Sequence, residues 1–377
     1  PHDVASASDY EGVLEKAYVL ADPDRRRERV RGGLLEADAD VMIDPALLDE
    51  VNNLVEWPVP VPCSFEIEFL EVPHAALIAS MQDHQKFFPV RDSSDRERVT
   101  NRFIAIANLE SHDPGAVRAG YERVIRPRLA DARFFLEQDQ SRPLEGYLAG
   151  LDGVVFQKKI GTVGDKARRI AFVSEKMAEL LGYDPKLAAR SAMLAKCDLM
   201  TQMVGEFPEL QGVMGHHYAL ISGEPEEVAV AIGEHYAPAF AGDSIPNNTA
   251  GRIVGIADRA DTLVGIFAAG LRPTGNKDPF ALRRGALGMV RILLEGGLQL
   301  PLNRILALAA NALSDQLPTD PALLVEIRGF VVERLRHYYR EQDYSAELIS
   351  AALASGWDTL PDLDRRLVAL SGFMGQD

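Results

Sequence analysis

The spacing of apolar and polar residues predicts a mixed first third of the chain and a helical remainder. Near the start, Ser8 and Glu11 have the spacing of a capping box, in which each side chain binds a free backbone amide of the first turn. Apolar residues then recur at helical intervals, which predicts a helix over about residues 9–20 with one apolar face formed by Tyr10, Val13, Leu14 and Ala17.

Two further helices are expected to begin at Asp-Pro pairs. Asp22-Pro23 and Asp44-Pro45 each place a capping carboxylate before a proline. Proline suits the first helical position because the amide hydrogen that it lacks would have no partner there. The sequence therefore predicts that helices start at these two points.

Extended segments are expected after the second of these helices. The run from Trp57 to Pro62 has proline at every second position, which excludes a helix. Residues 65–69 alternate between apolar and polar side chains and predict a half-buried strand, and Phe103–Ala107 predicts a more buried one. Residues 74–84, between them, are predicted to be helical.

From about residue 150 onward, the apolar period is that of helices. Leu194, Leu199 and Met203 are expected to share one of them. Taken with the first third, this predicts an α+β fold that is mostly helical. The other helices are predicted over about 166–181, from 225, over 249–270, from 278 to 295, and over 302–313, 320–341 and 345–355.

Composition indicates a large globular chain. With 377 residues, of which 47% are hydrophobic and 25% charged, it can bury the cores of two or three domains. Cys63 and Cys197 are too few for a disulfide framework, which favours a reducing compartment. No signal peptide or membrane-spanning run is found, so a cytoplasmic location without membrane contact is expected. The chain begins with Pro-His, which suggests part of a longer protein.

The net charge of −16 argues against general attraction to nucleic acid, so any RNA contact must come from local basic surface. Three segments, 118–133, 157–169 and 271–291, have a local excess of basic residues. For each, a solvated helix face or an internal ion pair is an equal alternative. The candidate RNA-binding residues are Arg126, Arg128, Lys158, Lys159, Lys166, Arg168, Arg169, Arg272, Lys277, Arg283 and Arg284.

The pair Cys197-Asp198 lies where a metal-dependent phosphohydrolase of the HD type would need His-Asp. Such enzymes bind divalent ions with a histidine, an adjacent His-Asp pair and a distant aspartate. None of the eight histidines falls on the preceding predicted helix, about 166–181, so two of the four ligands are missing. We interpret the set as a vestigial site that holds no metal, with Cys197 as an inert core thiol and Asp198 in a structural hydrogen bond or ion pair.

The other members of this vestigial site are His216, His217, Asp258 and Asp261. Neighbouring side chains such as those of the two histidines diverge, and surface or RNA-facing roles are favoured for them over metal binding. The two aspartates are three residues apart and should share one side of a helix. Their expected partners are Arg252, Arg259 or a loop amide.

Seven ordered blocks resemble the β subunit of the bacterial two-subunit glycyl-tRNA synthetase. They begin with MQDHQKFFPV, NRFIAIANLES and RVIRPRLADARFF and continue with MVGEFPELQGVMG and GEHYAPAFAGDSIP. The last two are IADRADTLVGIFAAGLRPTG and KDPFALRR. The His216-His217 pair and Tyr121 depart from the usual pattern of the family, which puts in doubt any contact made from those positions.

The resemblance implies three regions. Residues 1–148 would be a mixed α/β module similar to the B3/B4 module of the phenylalanyl enzyme, and residues 149–300 an all-α HD-like domain. Residues 301–377 would be a helical connector that leads to an anticodon-binding domain beyond this sequence. The chain would therefore be a central fragment of a β subunit.

The resemblance also implies a function in aminoacylation without catalysis in this fragment. The β subunit is expected to bind tRNA(Gly) and to assemble with the α subunit as an α2β2 heterotetramer. ATP and magnesium would bind in the α subunit, and no cofactor is expected in this chain, where no phosphate-binding glycine loop of the P-loop type is found.

Two other functions stay open at the level of sequence. One is a metal-dependent HD-type phosphohydrolase that uses Asp198, Asp258, His216 and His217 in an altered site. The other is a scaffold that only docks the α subunit. A metal assay tests the first, and mixing with α and tRNA tests the second.

Overall fold

The computed structural model describes residue 4 and residues 6–96 and 98–374, and it divides into two compact units. The first unit runs to Asp139, and the second begins at Gln140. The predicted regions 149–300 and 301–377 thus lie in one unit, and residues 140–148 belong with them. The extreme ends of the predicted regions, 1–3 and 375–377, lie outside the described residues. The assignment to B3/B4-like, HD-like and connector modules stays a prediction.

The described part of the first unit combines helices with an antiparallel sheet of order β1-β3-β2. Val59 of β1 pairs with Ala107 of β3, and Ser64 of β1 pairs with Arg102 of β3. At the other edge of the sheet, Phe88 of β2 pairs with Ile104 of β3. Its elements are α1 (Tyr10–Lys16), α2 (Pro23–Ala37), α3 (Pro45–Leu54), β1 (Val59–Ser64), α4 (His74–Ala79), β2 (Phe88–Arg91), β3 (Val99–Ala107) and α5 (Pro114–Asp139).

The core of the first unit lies between α2, α3 and the sheet. Both helices start as predicted, because the Asp22 and Asp44 side chains accept hydrogen bonds from amides of the first turn. The proline-rich run forms β1, which lies at an edge of the sheet, where a missing amide hydrogen is tolerated. The apolar side chains of this core are Val30, Leu34, Leu47, Leu48, Val51, Val55, Phe88, Val90 and Ile104.

Two predictions for the first unit are wrong. Residues 65–69 do not form a strand, because β1 ends at Ser64 and Ile67–Glu71 is a short 3-10 helix. Phe65 and Phe69 are buried four residues apart while Ile67 is 72% exposed, which fits a helical turn, since in a strand all three would share one face. The capping box at Ser8 is also absent: Ser8 lies in a 3-10 turn, and α1 begins at Tyr10 without a side-chain cap.

The second unit is helical apart from a hairpin formed by β4 (Val155–Gln157) and β5 (Gly161–Thr162). A 3-10 segment, Leu144–Gly153, precedes the hairpin. The helices are α6 (Val163–Leu181), α7 (Pro185–Leu194), α8 (Gln202–Glu206), α9 (Val213–Ile221), α10 (Glu226–Glu234), α11 (Thr249–Ala268), α12 (Leu282–Glu295), α13 (Leu302–Leu313), α14 (Pro321–Arg340), α15 (Ala346–Ala354) and α16 (Leu360–Met374).

The central helix of the second unit is α11, which packs against α6, α10, α12 and α13. Almost every apolar residue of α11 is buried, and the core around it extends to α14, α15 and α16. The prediction that Leu194, Leu199 and Met203 share one helix is wrong. The chain turns there, with α7 ending at Leu194 and a 3-10 turn, Cys197–Met200, before α8. None of the described helices is both long and apolar enough to cross a membrane.

Candidate functional site

The turn after α7 buries Cys197 and Asp198 completely. Oδ2 of Asp198 accepts hydrogen bonds from the amides of Gly212, at 2.5 Å, and Gly215, at 3.1 Å. Glycine is needed at both positions: Gly212 has φ +84°, and a Cβ at Gly215 would lie 2.9 Å from this oxygen. Asp198 thus makes the structural hydrogen bond expected for it, tying the turn to the start of α9.

Burial also governs protonation in this turn. It raises the pKa of the Asp198 carboxyl, although the two glycine amides and Lys196 oppose that effect. It raises the pKa of Cys197 to about 12, so the side chain is a thiol at neutral pH. This agrees with the interpretation of Cys197 as an inert core residue.

His216 and His217 lie half-buried on α9. Burial lowers the pKa of His217. His216 faces α10, where a Cβ at Gly233 would lie 3.2 Å from its Nδ1. Among the described residues, neither histidine forms a hydrogen bond or an ion pair with the two aspartates of α11, so the structure does not join these members of the predicted vestigial site.

Asp258 and Asp261 lie on one side of α11, as predicted, but their partners are lysines and an arginine of other elements. Lys166 Nζ lies 2.6 Å from Asp258 Oδ1 and 3.2 Å from Asp261 Oδ2. Lys196 Nζ lies 2.8 Å from Asp258 Oδ2. Arg169 holds Asp261 with two hydrogen bonds, from Nε at 2.6 Å and from Nη2 at 3.1 Å. We call these five residues the ionic cluster.

The expected partners of the aspartates, Arg252 and Arg259, bind backbone oxygens instead. Arg252 donates to the carbonyl of Pro246, and Arg259 lies within hydrogen-bonding distance of five carbonyl oxygens. That prediction is wrong because these arginines lie on a different side of α11 from the aspartates, toward the loop after α10. The cations that bind the two aspartates come from other elements: Lys166 and Arg169 from α6, and Lys196 from the turn after α7.

A buried histidine, His235, adjoins the ionic cluster. Lys196 Nζ lies 2.8 Å from Nε2 of His235, whose Nδ1 lies 2.7 Å from the carbonyl oxygen of Ile232. Because Nδ1 donates to that carbonyl, Nε2 accepts from the ammonium group and the ring is neutral. Burial, and secondly the Lys196 charge, lower the pKa of His235 well below its usual value.

Lys196 and His235 are missed by the sequence reasoning. One feature of the sequence could have identified Lys196: it is the only charged residue in the run 191–197. A lysine in such a run is buried and needs a carboxylate partner. Burial tends to raise the pKa of Asp258, but Lys166, Lys196 and other charges hold it well below the usual range.

Two candidate RNA-binding residues, Lys166 and Arg169, belong to the ionic cluster. They are only 5% and 4% exposed, so RNA cannot reach them in this structure. Arg168 points to solvent and pairs with Asp152 and Asp165, both at 2.8 Å. Arg272 pairs with Glu326 on the surface of α14.

Arg126 and Arg128 lie on α5 of the first unit. Arg126 is exposed, and its Nε donates to Glu66 at 2.6 Å. Arg128 is half-buried. These two candidates therefore lie in a different unit from the remaining ones.

The remaining candidates lie along connected segments of the second unit, and we call them the basic strip. Lys159 Nζ donates to the carbonyl of Ala269 at 3.0 Å, which joins the β4–β5 turn to the end of α11. A tight loop follows α11 and ends in an isolated bridge at residues 274 and 277. Arg283 donates to Gly275 of this loop at 2.8 Å. The basic strip consists of Lys158, Lys159, Lys277, Arg283 and Arg284.

No described carboxylate forms an ion pair with any member of the basic strip. Arg283 is half-buried and the other four are exposed. Asp278, the nearest acidic residue in sequence, uses its carboxylate to accept from the amides of Leu282 and Arg283 at 2.8 and 2.9 Å. The strip is thus a local positive surface on an acidic protein.

Comparison with known proteins identifies the family. The family model for the glycyl-tRNA synthetase beta subunit matches residues 1–354. The chain belongs to this family. Glycine–tRNA ligase beta subunits from Pseudomonas putida and Ectopseudomonas mendocina are 46% and 45% identical to it over 376 and 374 residues. That from Xanthomonas campestris is 45% identical over 379 residues. In each case the match covers 98% of this chain but 54% of the relative, so the chain spans about half their length.

In this member of the glycyl-tRNA synthetase beta-subunit family, the HD-type donor set does not fit a divalent ion. Asp198 is bound by glycine amides, Cys197 is a protonated thiol, and the carboxylates of α11 are bound by ammonium and guanidinium groups. Among the described residues, no three His, Cys, Asp or Glu side chains are grouped as a metal site. The cations of the ionic cluster compensate the charge that a metal ion would otherwise balance.

Proposed function

We propose that this chain is an RNA-binding, non-catalytic part of a glycine–tRNA ligase β subunit. In this proposal it binds tRNA(Gly) and helps to place it for ATP-dependent aminoacylation in the α subunit, where ATP and magnesium bind. The assembly would be an α2β2 heterotetramer in the cytoplasm. The proposal rests on the family match together with one structural observation, the basic strip.

The basic strip supports RNA binding because its charges are not compensated. A chain of net charge −16 repels phosphate at long range, so an uncompensated row of cations is the part of its surface that phosphates would approach. Lys158 and Lys277 have no hydrogen-bond or ion-pair partner among the described side chains. Their ammonium groups are therefore available to replace the counterions of an RNA backbone.

The ionic cluster argues against the phosphohydrolase alternative. A hydrolytic metal needs free carboxylates, and those of Asp258 and Asp261 are already bound by Lys166, Lys196 and Arg169. If a metal ion bound these carboxylates, the three buried cations would lose their acidic partners, which is costly. The scaffold alternative, in turn, gives no reason for uncompensated cations on the surface.

The double substitution Lys158→Glu with Lys277→Glu tests the proposed function. We expect the affinity of the chain for tRNA(Gly) at low salt to fall at least about tenfold. The slope of log affinity against log salt should also fall by about two, because two phosphate contacts are lost. Both quantities are measured by gel shift or filter binding across a salt series.

A control for added negative charge is Lys186→Glu, a single charge reversal. Lys186 is exposed in the first turn of α7, which packs along α6 and starts at the end of α6 far from the β4–β5 turn. This variant has a greater negative charge but keeps the basic strip, so its affinity should change much less. Equal affinities for wild type and the double variant would refute the proposal. Binding of tRNA only in the presence of the α subunit would favour the scaffold instead.

A further inference from the structure

An exposed aromatic ring lies beside the basic strip, in the loop of residues 237–246 after α10. Phe240 is 64% exposed, which is unusual for a phenylalanine in a fixed loop. The tip of the loop is closed by Asp243, whose Oδ2 accepts from the amide of Ala239 at 2.6 Å. The amide of Asp243 in turn donates to the carbonyl of Phe240 at 3.3 Å.

Two partly buried arginines hold this loop. Arg259 lies within hydrogen-bonding distance of the carbonyl oxygens of Ala237 and Pro238, at 2.9 and 3.2 Å. Arg291 donates from Nη2 to the carbonyl of Asp243 at 2.7 Å. The exposed ring is therefore presented by a supported backbone, and little conformational entropy would be lost when a ligand covers it.

The ring borders a groove of about 590 Å³ between this loop, α12 and α14. Arg283 and Arg284 of the basic strip line it, together with Arg334 and Tyr338. Of its two acidic residues, Glu295 pairs with Arg291 at 2.7 Å, and Glu341 lies 3.3 Å from His337 Nε2, a contact that is an ion pair only when the histidine is protonated. The groove thus continues the basic strip and ends at an aromatic surface.

Arg334 lines this groove and carries one unsatisfied hydrogen-bond donor. Its Nε is buried and has no hydrogen-bond partner among the described residues. A buried donor of this kind costs stability unless a ligand or water accepts from it. Because this Nε has almost no exposed surface, a ligand in the groove would meet other atoms of the Arg334 side chain.

We propose that Phe240 is a stacking platform for an unpaired base of tRNA, with Arg284 and Arg334 facing the polar atoms of that nucleotide. The inference rests on the proposed function and deepens it. Aromatic rings beside uncompensated cations bind single-stranded nucleic acid, because each base has a flat face and each linkage a negative charge. A base stacked inside a duplex could not cover the ring, so the ligand is an unpaired nucleotide.

The test compares Phe240→Ala and Phe240→Trp with the wild-type chain. The probes are tRNA(Gly), tRNA(Gly) trimmed of its single-stranded 3′ nucleotides, and a short single-stranded RNA. We expect Phe240→Ala to bind intact tRNA(Gly) about tenfold more weakly, which is typical for the loss of one stacked base. Because the side chain is exposed, its thermal unfolding should match that of the wild type.

Phe240→Trp should keep the affinity and report stacking directly. Its added indole fluorescence should be quenched by intact tRNA, measured against the background of Trp57 and Trp357. If Phe240→Ala weakens only intact tRNA, the stacked base belongs to the 3′ end. If it weakens intact and trimmed tRNA equally and the tryptophan is quenched by both, the base lies elsewhere in the tRNA and the stacking proposal still holds.

Three results would overturn the inference. The first is unchanged affinity of Phe240→Ala for all three RNAs, and the second is an unquenched Phe240→Trp in bound complexes. The third is a Phe240→Ala variant that binds RNA normally but associates less with the α subunit, which would assign the ring to a protein contact. Loss of tRNA binding in Lys158→Glu with Lys277→Glu would still support the proposed function. A chain that does not bind tRNA(Gly) at all would overturn both the proposed function and the inference.

Discussion

The ionic cluster and the basic strip use the same residue types in opposite surroundings. In the cluster, Lys166 is almost completely buried and touches two aspartates. In the strip, Lys158 and Lys277 are exposed and have no acidic partner among the described residues. The comparison separates cations that the fold has already used from cations that are available to a ligand.

Helical phase decides which group a residue joins. Lys166 and Arg169 are three residues apart on α6 and face α11, whereas the adjacent Arg168 is turned by about 100° and faces solvent. The local excess of basic residues in 157–169 therefore says little about RNA binding until the buried members are removed. Charge counted along a sequence overstates charge available on a surface.

The largest effect on stability is expected from Asp261→Ala, which removes one carboxylate of the ionic cluster. It removes the two hydrogen bonds that Arg169 makes to Asp261 and one partner of Lys166 in a buried environment. We expect the free energy of unfolding to fall by about 3–5 kcal/mol, since uncompensated charges are left in the core. Denaturant unfolding followed by circular dichroism measures it.

The control for this prediction is Glu326→Ala, which removes the exposed partner of Arg272. Surface pairs contribute about 0–1 kcal/mol, so this variant should remain close to wild type. If Asp261→Ala were no more destabilising than Glu326→Ala, the ionic cluster would not be a buried element of stability.

Lowering the pH is expected to reduce the unfolding free energy by an intermediate amount, because of His235. Its pKa is lowered well below 6.5 in the folded chain, mainly by burial, while in the unfolded chain it has its ordinary value. Below about pH 6.5 the unfolded chain binds a proton that the folded chain does not, so this histidine lowers stability as pH falls. The limiting slope is about 1.4 kcal/mol per pH unit.

His235→Gln isolates this contribution, because glutamine can accept from Lys196 but does not titrate near neutral pH. Unfolding free energies of both proteins should be measured between about pH 7.5 and 5.5. The wild type should lose more stability than the variant over this range. Parallel curves would show that the imidazole is not held neutral by the fold.

The smallest effect is expected on the exposed side of the comparison. Neutralising Lys158 and Lys277 together with Lys158→Met and Lys277→Met should change the unfolding free energy by no more than about 0.5 kcal/mol, as is usual for surface substitutions. The same variant should weaken tRNA(Gly) binding. A large loss of stability would mean that these lysines have a structural role like those of the cluster.

Much of the fold followed from local signals in the sequence. The Asp-Pro starts of α2 and α3, the buried strand at Phe103–Ala107, and most helices of the second unit agree with the structure. These signals depend on neighbouring residues alone. The failures at residues 65–69 and 194–203 come where the chain turns within a few residues, and where apolar spacing is compatible with more than one backbone.

The site was less predictable, because its contacts join residues far apart in sequence. Asp258 and Asp261 were recognised as a pair, but their partners on α6 and in the turn before Cys197 lie more than 60 residues earlier. No period or motif links a lysine at 196 with an aspartate at 258. The members of the basic strip were among the sequence candidates, yet only the folded structure showed which of the eleven candidates have no carboxylate partner and lie along one surface.

Arg259 supports the loop after α10 through the loop's main chain. Its guanidinium group donates to main-chain oxygens of residues 235–238 after α10 and of Gly255 on its own helix, and each of these is present whatever side chain the residue has. The anchor is therefore indifferent to the identity of those residues. Residues 240 and 241 at the loop tip could therefore be exchanged without disturbing this support, which would alter what the surface recognises while the underlying architecture is retained.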